Sequence, residues 1–298
     1  MPDKSVEHTI AICNYNMADT LERSLRSIVD QVRHRDDFEI LVVDDGSSDR
    51  SPEILKRLSE EYDCLRVEYL DYDPDRGLGG TRNISFEKSR GEYVLESLDT
   101  DDIYHEGILD FVEVYHQLDD QVDFDFYLQG RGITMAKREV LLDTPYRNLP
   151  RGQDKDLRRR LQAQDALVWV LHEPFRESIG YDPDPIETRQ IWFEEAVTDF
   201  RTGITLSSYV RWALDLRSIR GLFLVLIAPV AYLVSRTKQR YDPVEEFRDR
   251  VKWKRQREAL KGTLDELEDR YDVTFDRNRL SDRGRERFVE FSPDDIDD

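Results

Sequence analysis

The first half of the chain alternates short apolar runs with segments in which apolar residues recur at helical spacing. Four runs have the length and composition of buried strands: His8–Cys13, Phe38–Val43, Leu65–Leu70 and Tyr93–Leu95. Helical segments lie between them, with apolar positions at Leu21, Leu25, Ile28 and Val32, then at Ile54, Leu55 and Leu58, and a third helix is predicted from about Thr81 to Ser89. Strands that alternate with helices predict an α/β fold, a mostly parallel sheet covered by helices on both faces.

The second half of the chain is less regular. Strand-like runs recur at Phe124–Leu128, Ile133–Ala136 and Ala166–Leu171, and the sequence Asp182-Pro183-Asp184-Pro185 indicates a turn or linker. We therefore expect a first domain over residues 1–180 and a helical C-terminal region over residues 181–298. Within that region, residues 243–271 predict one long charged helix, and the acidic tail after it is expected to be partly disordered.

One segment of the C-terminal region is uncharged and largely apolar, Gly221–Ser235, with Pro229 inside it. It is shorter than the ~20 residues that span a bilayer, so a buried core helix, an interfacial helix and a short re-entrant helix all remain open. Basic residues flank the segment on both sides: Arg217, Arg220, Arg236, Lys238 and Arg240. Because such flanks suit anionic headgroups, we expect contact with a membrane surface.

Composition narrows the classes of partner. The 298 residues carry a formal net charge of −20, which argues against a nucleic-acid partner. Of the 44 basic residues, 35 are Arg and 9 are Lys. Surplus acid with Arg in place of Lys predicts a halophilic protein, since molar salt shortens the Debye length to about 3 Å and screens the repulsion. An ordinary acidic enzyme is the alternative.

Two further features concern the compartment. Cys13 and Cys64 are the only cysteines, and both lie beside apolar strand-like residues, so we expect reduced, buried thiols. The N-terminal residues 1–8 are polar and lack an apolar signal core. The catalytic part is therefore expected to remain in the cytoplasm.

The candidate chemistry begins at an acidic stretch, Leu98-Asp99-Thr100-Asp101-Asp102, which follows the fourth predicted strand. Ligand crevices of open α/β sheets form at the C-terminal ends of strands. Carboxylates that are held together favour a cation, and oxygen ligands suit Mg²⁺ or Mn²⁺ bound together with substrate phosphates. The stretch predicts a metal–diphosphate site, and the alternative is a solvated acidic turn.

Polar residues also follow the other strands. Tyr15 comes after the first strand, where an aromatic ring can stack on a nucleotide base or lie half-buried. Asp44 and Asp45 come after the second strand, where carboxylates accept hydrogen bonds from a base or ribose, although Asp, Gly and Ser are also ordinary turn residues. Gly77, Gly79 and Gly80 precede a helix with Arg82 in its first turn, which predicts an anion site. This loop is not a Rossmann fingerprint, because the third glycine is missing and the loop begins several residues after its strand.

Four motifs together resemble the inverting family 2 glycosyltransferases of the GT-A fold: IAICNYNMADTLERSLRSI, ILVVDDGSSDRS, RGLGGTRNISFEKSRGEYV and LDTDD. They stand in that family's order and cover about residues 8 to 118. The resemblance implies that Tyr15 and Asp44 hold the uracil of a UDP-sugar, with Asp45 nearby. It also implies that Asp99 faces the ribose and sugar, that Asp101 binds the metal, and that Arg82 lies by the nucleotide.

The resemblance extends weakly into the second half. Gly152-Gln153-Asp154-Lys155-Asp156-Leu157 is similar to the family's G-E-D-x-D-L segment, which makes Asp154 the catalytic base; Gln153 replaces the usual Glu. The alternative for Asp154 is a helix N-terminal acid. Residues 130–132, including Gly132, would lie beneath the sugar and acceptor. His172 is a candidate metal ligand, because GT-A enzymes sometimes use a late histidine, and a structural histidine is the alternative.

These features predict a metal-dependent transferase that moves a hexose or hexuronic acid from a nucleotide-sugar to an acceptor. The apolar segment and the acidic composition suggest a lipid-linked acceptor, a dolichol-phosphate glycan of surface-glycoprotein N-glycosylation, built at the cytoplasmic face of the cell membrane. Two other classes remain open: a sugar-nucleotide-binding protein without transfer activity, and a nucleotidylyltransferase. The latter typically has a Gly- and Arg-rich loop where this chain has CNYNMADT.

Overall fold

A computed structural model describes residues 6–180 and 183–291 of the chain. The predicted acidic tail beyond residue 291, Asp182 of the predicted linker, and the first five residues lie outside the described residues. The strands are β1 (His8–Asn14), β2 (Phe38–Asp44), β3 (Leu65–Tyr69), β4 (Tyr93–Glu96), β5 (Asp102–Tyr104), β6 (Tyr127–Gln129), β7 (Thr134–Lys137), β8 (Leu167–Val170), β9 (Arg176–Ser178) and β10 (Lys261–Gly262).

Helices connect these strands and form most of the C-terminal region. They are α1 (Leu21–Val32), α2 (Ser51–Glu61), α3 (Leu78–Lys88), α4 (Ile108–Asp119), α5 (Arg138–Asp143), α6 (Gln153–Gln162), α7 (Pro185–Arg201), α8 (Leu206–Asp215), α9 (Ile219–Arg236), α10 (Arg250–Leu260), α11 (Leu264–Tyr271) and α12 (Asp282–Phe288). Short 3₁₀ turns occur at Glu245–Phe247 and Arg277–Arg279.

Eight strands form one sheet in the order β10-β8-β6-β7-β4-β1-β2-β3. All neighbouring pairs are parallel except those that β7 makes with β4 and β6. The sheet is therefore mostly parallel and flanked by helices, which confirms the predicted fold class. Helix α1 shows why the pattern was informative, because its apolar positions Leu21, Leu25, Ile28 and Val32 are all fully buried against the sheet.

The register of the central strands brings the predicted polar loops to one edge. β1 and β2 pair in parallel from His8 with Phe38 to Asn14 with Asp44, and β4 runs parallel to β1 on its other side. Soon after each of these strands the chain adopts a left-handed conformation, at Asn16 (φ 54°), Gly46 (φ 74°) and Ser97 (φ 65°). Such conformations are costly for residues other than Gly and cluster at functional sites.

A small second sheet stands beside this edge. β5 and β9 pair antiparallel, with Asp102 opposite Ser178 and Tyr104 opposite Arg176. The acidic stretch thus continues directly into a strand, and its partner strand carries an arginine to the same place. No local sequence pattern predicts this two-stranded sheet.

The end of the described chain returns to the main sheet. β10 pairs in parallel with β8 at the sheet edge, and Leu264, Leu267, Val273, Phe275, Leu280 and Phe288 belong to the same hydrophobic core as β1 and β2. The last part of the expected C-terminal region therefore packs into the core of the first domain, and the boundary at residue 180 stays a prediction. The prediction of one long helix over residues 243–271 is wrong, because β10 interrupts it between α10 and α11.

Helices α7, α8 and α9 form a layer with a core of its own, which contains Ala196, Val197, Phe200, Ile204, Tyr209, Ala213, Leu224, Ala228 and Ala231. Within the described residues, α9 alone is long and apolar enough to cross a membrane, by length and composition only. Its face toward α7 and α8 is buried, so the segment is neither wholly a core helix nor wholly exposed.

The two cysteines are free and half-buried. Burial raises the pKa of the Cys13 thiol to about 12, so this thiol stays protonated at neutral pH. Free, half-buried cysteines are consistent with the expectation of reduced thiols.

Replacing Leu267 with Ala tests whether the C-terminal segment is part of the main core. Leu267 is fully buried, so the change should lower the free energy of unfolding by about 2–5 kcal/mol. Urea unfolding followed by circular dichroism and tryptophan fluorescence should show one shifted transition. Leu142→Ala, at a 38% exposed position, is the control and should change little. A separate early transition in Leu267→Ala would instead place residues 261–291 in a second folding unit.

Candidate active site

Three carboxylates meet where β4 ends and β5 begins. Oxygens of Asp99, Asp101 and Asp102 all lie within 4.8 Å of one another. The Tyr104 hydroxyl accepts a hydrogen bond of 2.6 Å from the Asp99 backbone N–H, which fixes the turn between the strands. Desolvation raises the pKa of Asp99 and of Asp101, and the charge of a neighbouring aspartate raises each further. An all-oxygen cluster whose members resist ionising together is a donor set that fits a hard divalent cation.

Two arginines from different elements face these carboxylates. Arg176 Nη1 lies 2.6 Å from Asp102 Oδ2 and 3.8 Å from Asp99 Oδ2. Arg82 Nη2 lies 3.9 Å from Asp99 Oδ1. Gly132 (φ 80°) packs against the Arg176 side chain so closely that a Cβ there would collide with its guanidinium. Gly132, predicted as substrate-binding, therefore acts on the site in this structure by making room for Arg176.

A buried network holds Arg82 in place. The Glu96 side chain is 1% exposed, and its Oε1 accepts hydrogen bonds of 2.7 Å from the hydroxyls of both Tyr127 and Tyr146. Arg82 Nη1 donates to the Tyr146 hydroxyl at 3.2 Å, and the guanidinium stacks over the Tyr146 ring. Arg82 Nε is 3.9 Å from Glu96 Oε2. A buried carboxylate behind the arginine stabilises its charge and orients it toward Asp99.

A cavity of about 280 Å³ opens at the ends of β1 and β2. The rings of Tyr15 and Tyr72 stack at its mouth with centroids 5.8 Å apart. Asp45 lines the cavity, where its carboxylate accepts from Arg76 Nε at 2.6 Å and from Thr81 Oγ1 at 2.7 Å. Aromatic faces beside a carboxylate and an arginine can receive a nucleotide base and its ribose.

Asp44 has a different environment from Asp45. It is 1% exposed, and its carboxylate accepts hydrogen bonds from Asn14 Nδ2, from Ser47 Oγ and from the Ser47 backbone N–H. In this structure Asp44 organises the turn after β2, and Asp45 is the aspartate that reaches the cavity. Gly46 allows the Tyr72 backbone to pack against this turn, since a Cβ at position 46 would lie 2.5 Å from the Tyr72 backbone nitrogen.

The glycine-rich start of α3 packs against the segment before α6. Gly77 N–H donates to Asn148 Oδ1 at 3.0 Å, and a Cβ on Gly79 would lie 2.7 Å from the Arg147 carbonyl oxygen. These glycines allow two backbones to approach each other. The N-terminus predicted as an anion site is thus partly capped by Asn148.

Asp154 is the second residue of α6, two positions after the left-handed Gly152 (φ 69°) that precedes the helix. Its side chain is 38% exposed, and its carboxylate accepts a hydrogen bond from Arg158. Burial alone would raise the pKa of Asp154, but the positive charges of Arg158, Lys155 and Arg82 outweigh it and lower the pKa. Asp154 therefore stays ionised at neutral pH.

His172 is placed differently. It is fully buried, its Nε2 accepts a hydrogen bond of 2.8 Å from the Arg131 backbone N–H, and its Nδ1 bonds to the Glu173 carbonyl at 2.8 Å. Its ring stacks on Phe175. Desolvation lowers the pKa of His172 to about 4. These contacts occupy both ring nitrogens, as expected of a structural histidine, and the structure does not bring His172 into the carboxylate cluster.

Sequence reasoning missed Glu96, Tyr72, Arg76 and Arg176. Glu96 is an acid at the end of an otherwise apolar strand, which signals a buried partner. Tyr72 and Arg76 lie in the DYDPDRGLGG loop, in which the glycines alone carry the prediction of an anion site. Arg176 carried no local signal, because its role depends on the pairing of β9 with β5.

Comparison with known proteins supplies the family. The model for "Glycosyl transferase family 2" matches residues 9–164. A "Cholesterol galactosyltransferase" of Borreliella burgdorferi is 28% identical over 144 residues, 48% of this chain and 38% of that protein. "Glycosyltransferase AglE" of Haloferax volcanii is 34% identical over 102 residues, 34% of this chain and 33% of that protein. The matched part thus spans less than half of either relative.

Solved structures share the fold. The mannosyltransferase PcManGT from Pyrobaculum calidifontis, in complex with GDP-Man and Mn²⁺, superposes with a TM-score of 0.52 at 17% identity, over 78% of this chain and 73% of that one. S. aureus TarS 1-349 in complex with UDP-GlcNAc superposes with a TM-score of 0.50 at 14% identity, over 78% and 74% of the two chains. The GT-A architecture agrees with the sheet described above.

The pH dependence of stability tests the assignment of His172. Its folded pKa of about 4 lies below the unfolded value of about 6.5, so the stabilisation is fully present above pH 6.5 and is lost as the pH falls toward 4. Wild type should therefore lose about 3 kcal/mol more than His172→Gln between pH 7 and pH 4. Chemical denaturation at each pH measures the difference. Weaker Mn²⁺ binding by a folded His172→Gln protein would contradict the structural role.

Proposed function

We propose a specific reaction for this chain, which belongs to glycosyl transferase family 2 and is therefore a glycosyltransferase. It transfers a hexose or hexuronic acid, with inversion, from a nucleotide-sugar to an acceptor hydroxyl at the edge where β1, β2 and β4 end. The observation that carries the proposal is the cavity of about 280 Å³ at the same sheet edge as the three clustered carboxylates, together with Asp154, whose pKa the charges of Arg158, Lys155 and Arg82 lower. Each of these three features serves a different part of the reaction.

The donor is proposed to bind with its base in the cavity beside Tyr15 and Tyr72. The half-exposed rings offer stacking faces, and Asp45 and Thr81 offer polar atoms inside the cavity. We propose uridine diphosphate as the carrier, with Asp44 supporting the turn behind the base. The two structural neighbours bind UDP-GlcNAc and GDP-Man, so a nucleotide-sugar is supported more strongly than the identity of its base.

The diphosphate is proposed to lie over Asp99, Asp101 and Asp102. The donor set fits Mg²⁺ or Mn²⁺, with Asp101 as the principal ligand and Asp99 toward the ribose and sugar. When bound, such an ion stabilises negative charge on the departing diphosphate. Arg82, whose Nη2 lies 3.9 Å from Asp99 Oδ1, contributes to the same end, and Glu96 keeps its guanidinium oriented.

Asp154 is proposed as the general base. The acceptor hydroxyl loses its proton to the Asp154 carboxylate while its oxygen attacks the anomeric carbon from the face opposite the leaving diphosphate, which inverts the configuration. Arg158 holds the carboxylate in position and keeps it ionised. A positioned base of this kind contributes about 10²- to 10⁴-fold to the rate.

The acceptor is proposed to be a lipid-linked glycan, a dolichol-phosphate-bound chain of surface-glycoprotein N-glycosylation, at the cytoplasmic face of the membrane. The exposed apolar residues of α9 support a lipid surface near the enzyme. One relative is named for transfer to cholesterol, and another comes from Haloferax volcanii. With the −20 net charge, the latter also supports a halophilic setting. Another cell-surface polysaccharide is the alternative acceptor.

A sugar-nucleotide-binding protein without transfer remains the second candidate, because Gln153 replaces the acid of the family pattern. Gln153 is 8% exposed, and its Oε1 is buried without a hydrogen-bond partner among the described residues. The acceptor contact of an acid at this position is therefore absent, while the carboxylate of Asp154 is retained.

Removal of Asp101 tests the metal site. Asp101→Ala should weaken Mn²⁺-dependent UDP binding by more than the roughly 10- to 100-fold that loss of an outer-shell partner costs. The fold should persist, because the change relieves repulsion among the carboxylates. Titration calorimetry with and without Mn²⁺ measures the effect, and Asp123→Ala, an exposed acid outside the site, is the control. Unchanged Mn²⁺-dependent binding would remove Asp101 from the site.

Asp154→Asn separates transfer from binding. Donor affinity should stay near that of wild type, because the proton comes from the acceptor, while transfer falls by about 10² or more. A sugar-transfer assay, a UDP-binding titration and a thermal melt on the same protein distinguish the roles. A helix-terminal acid without catalytic function would instead cost about 0.5–2 kcal/mol of stability with full turnover.

A further inference from the structure

Helix α9 leaves a row of large apolar side chains in solvent. Five residues spaced three or four positions apart, and therefore on one face, are 55 to 87% exposed: Ile219, Leu222, Leu226, Val230 and Leu233. None of the described residues covers this row, here called the α9 stripe. Contiguous exposed apolar surface of this kind marks an interaction site in a soluble protein.

The opposite face of α9 is committed to the protein. Gly221, Leu224, Ala228, Ala231 and Ser235 are buried. Three of them, Leu224, Ala228 and Ala231, belong to the core shared with α7 and α8. Gly221 lies so close to the Ala213 carbonyl that a Cβ would collide with it. The helix cannot turn the stripe inward without breaking this packing.

The charges around the stripe identify its partner. Between Asp215 and Asp242 the chain carries five basic residues and no acidic one, although the whole protein has a net charge of −20. These residues stand at the two ends of α9 and are exposed: Arg217, Arg220, Arg236, Lys238 and Arg240. A second copy of this acidic protein would meet the positive ends with only scattered acids, whereas an anionic lipid surface offers continuous negative charge.

Aromatic rings accompany the basic residues at both ends. Arg220 stacks over Trp192 at 5.0 Å, and Arg236 stacks over Tyr232, whose hydroxyl accepts from Arg236 Nη1 at 3.3 Å. Tyr and Trp are the side chains that favour the boundary between headgroups and acyl chains. Both ends of α9 therefore carry side chains that favour the headgroup region, as expected of a helix that lies parallel to the membrane surface.

We propose that α9 docks the protein on an anionic membrane and lies in the plane of its interface, with the α9 stripe at the acyl boundary and the flanking basic residues among the headgroups. The packing of α9 against α7 argues against α9 crossing the bilayer. At 18 residues the helix is about 27 Å long, but α7 runs against it with charged residues along its length: Glu187, Arg189, Glu194, Glu195, Asp199 and Arg201. Insertion across the bilayer would draw these charges into hydrocarbon.

The docked surface is joined to the proposed active site through α7. Lys155 on α6 pairs with Glu195 on α7 at 2.5 Å, and Arg159 pairs with Asp199 at 2.7 Å. Helix α6, which carries Asp154 in its first turn, is thus joined by two ion pairs to α7, the helix that packs on α9. This part of the inference rests on the proposed function, because it places a lipid-borne acceptor within reach of the base; docking itself does not depend on catalysis.

Vesicle sedimentation with the full chain tests docking. The protein should bind vesicles of phosphatidylcholine with 30 mol% phosphatidylglycerol, and bind pure phosphatidylcholine vesicles about tenfold or more weakly. The triple variant Leu222→Ser, Leu226→Ser, Leu233→Ser should lose binding and keep its fold, because all three side chains are exposed. Leu142→Ser with Val289→Ser, two exposed positions elsewhere, is the matched control and should bind as wild type does.

A second variant tests the contribution of the basic residues after α9. Lys238→Gln with Arg240→Gln should weaken binding to anionic vesicles and leave binding to neutral vesicles unchanged. Wild-type protein that stays in the supernatant with both kinds of vesicle overturns the proposal, as does a triple variant that binds like wild type. Self-association of wild type that the triple variant abolishes, without vesicle binding, would assign the stripe to a second copy and also overturn it.

Labelling distinguishes an in-plane from a spanning helix. In a Cys13→Ser, Cys64→Ser background, Asp215→Cys and Gln239→Cys should both react with a membrane-impermeant maleimide added outside the vesicles. Protection of one of them alone would mean that α9 crosses the bilayer. Mn²⁺-dependent UDP binding by the triple variant should equal that of wild type, so failure of docking and failure of the proposed transfer reaction are read separately.

Discussion

Repulsion among three carboxylates at the end of β4 is the constraint around which the rest of the site is built. Asp99, Asp101 and Asp102 lie within 4.8 Å of one another, so the fold must supply positive charge at a point where its own sequence is acidic. It does so from two separate elements, Arg82 on α3 and Arg176 on β9. Each arginine depends on a further residue. Buried Glu96 stabilises and orients Arg82, and Gly132 leaves the space that Arg176 occupies. The left-handed backbone at Ser97 lies just before these carboxylates, and the short β5–β9 ribbon begins at Asp102.

The sequence predicted what local pattern determines. The parallel strands and the helices between them were readable from apolar spacing, and the placement of Asp45, Asp99 and Tyr15 at one edge followed from where each strand ends. Contacts between distant segments were not readable. Glu96 owes its role to Tyr127 and Tyr146, which reach it from two other elements. β10 has only two residues and therefore no periodicity at all. Asp44 and Asp45 are adjacent, so their side chains point in different directions. Asp44 accepts hydrogen bonds within the turn, and Asp45 lines the cavity. The family resemblance does not distinguish these two environments.

Buried charge joins the C-terminal helices to the sheet. Asp199 on α7 receives Arg159 from α6 and Arg250 from α10, and all three side chains are less than a tenth exposed. Removing one partner of such a group typically costs about 3–5 kcal/mol, because the other charge is left without compensation. Exposed ion pairs weaken as salt rises, whereas pairs shielded from solvent are screened much less. In concentrated salt, the buried Arg159–Asp199–Arg250 group should therefore keep more of its strength than the exposed ion pairs between the same helices.

The return of β10 to the sheet has a consequence for how the molecule can be divided. The stretch that matches the family ends at residue 164, before β8 begins, yet β8 pairs on its outer side with Lys261 and Gly262. A fragment that stopped after β8 would present an open edge of a parallel sheet, with unpaired amide and carbonyl groups beside apolar residues that the last helices normally cover. Such edges recruit strands from other chains and lead to aggregation. Residues 261–291 therefore protect this edge of the sheet. An insertion in the connections of the α7–α9 layer should be tolerated better than a truncation that removes residues 261–291.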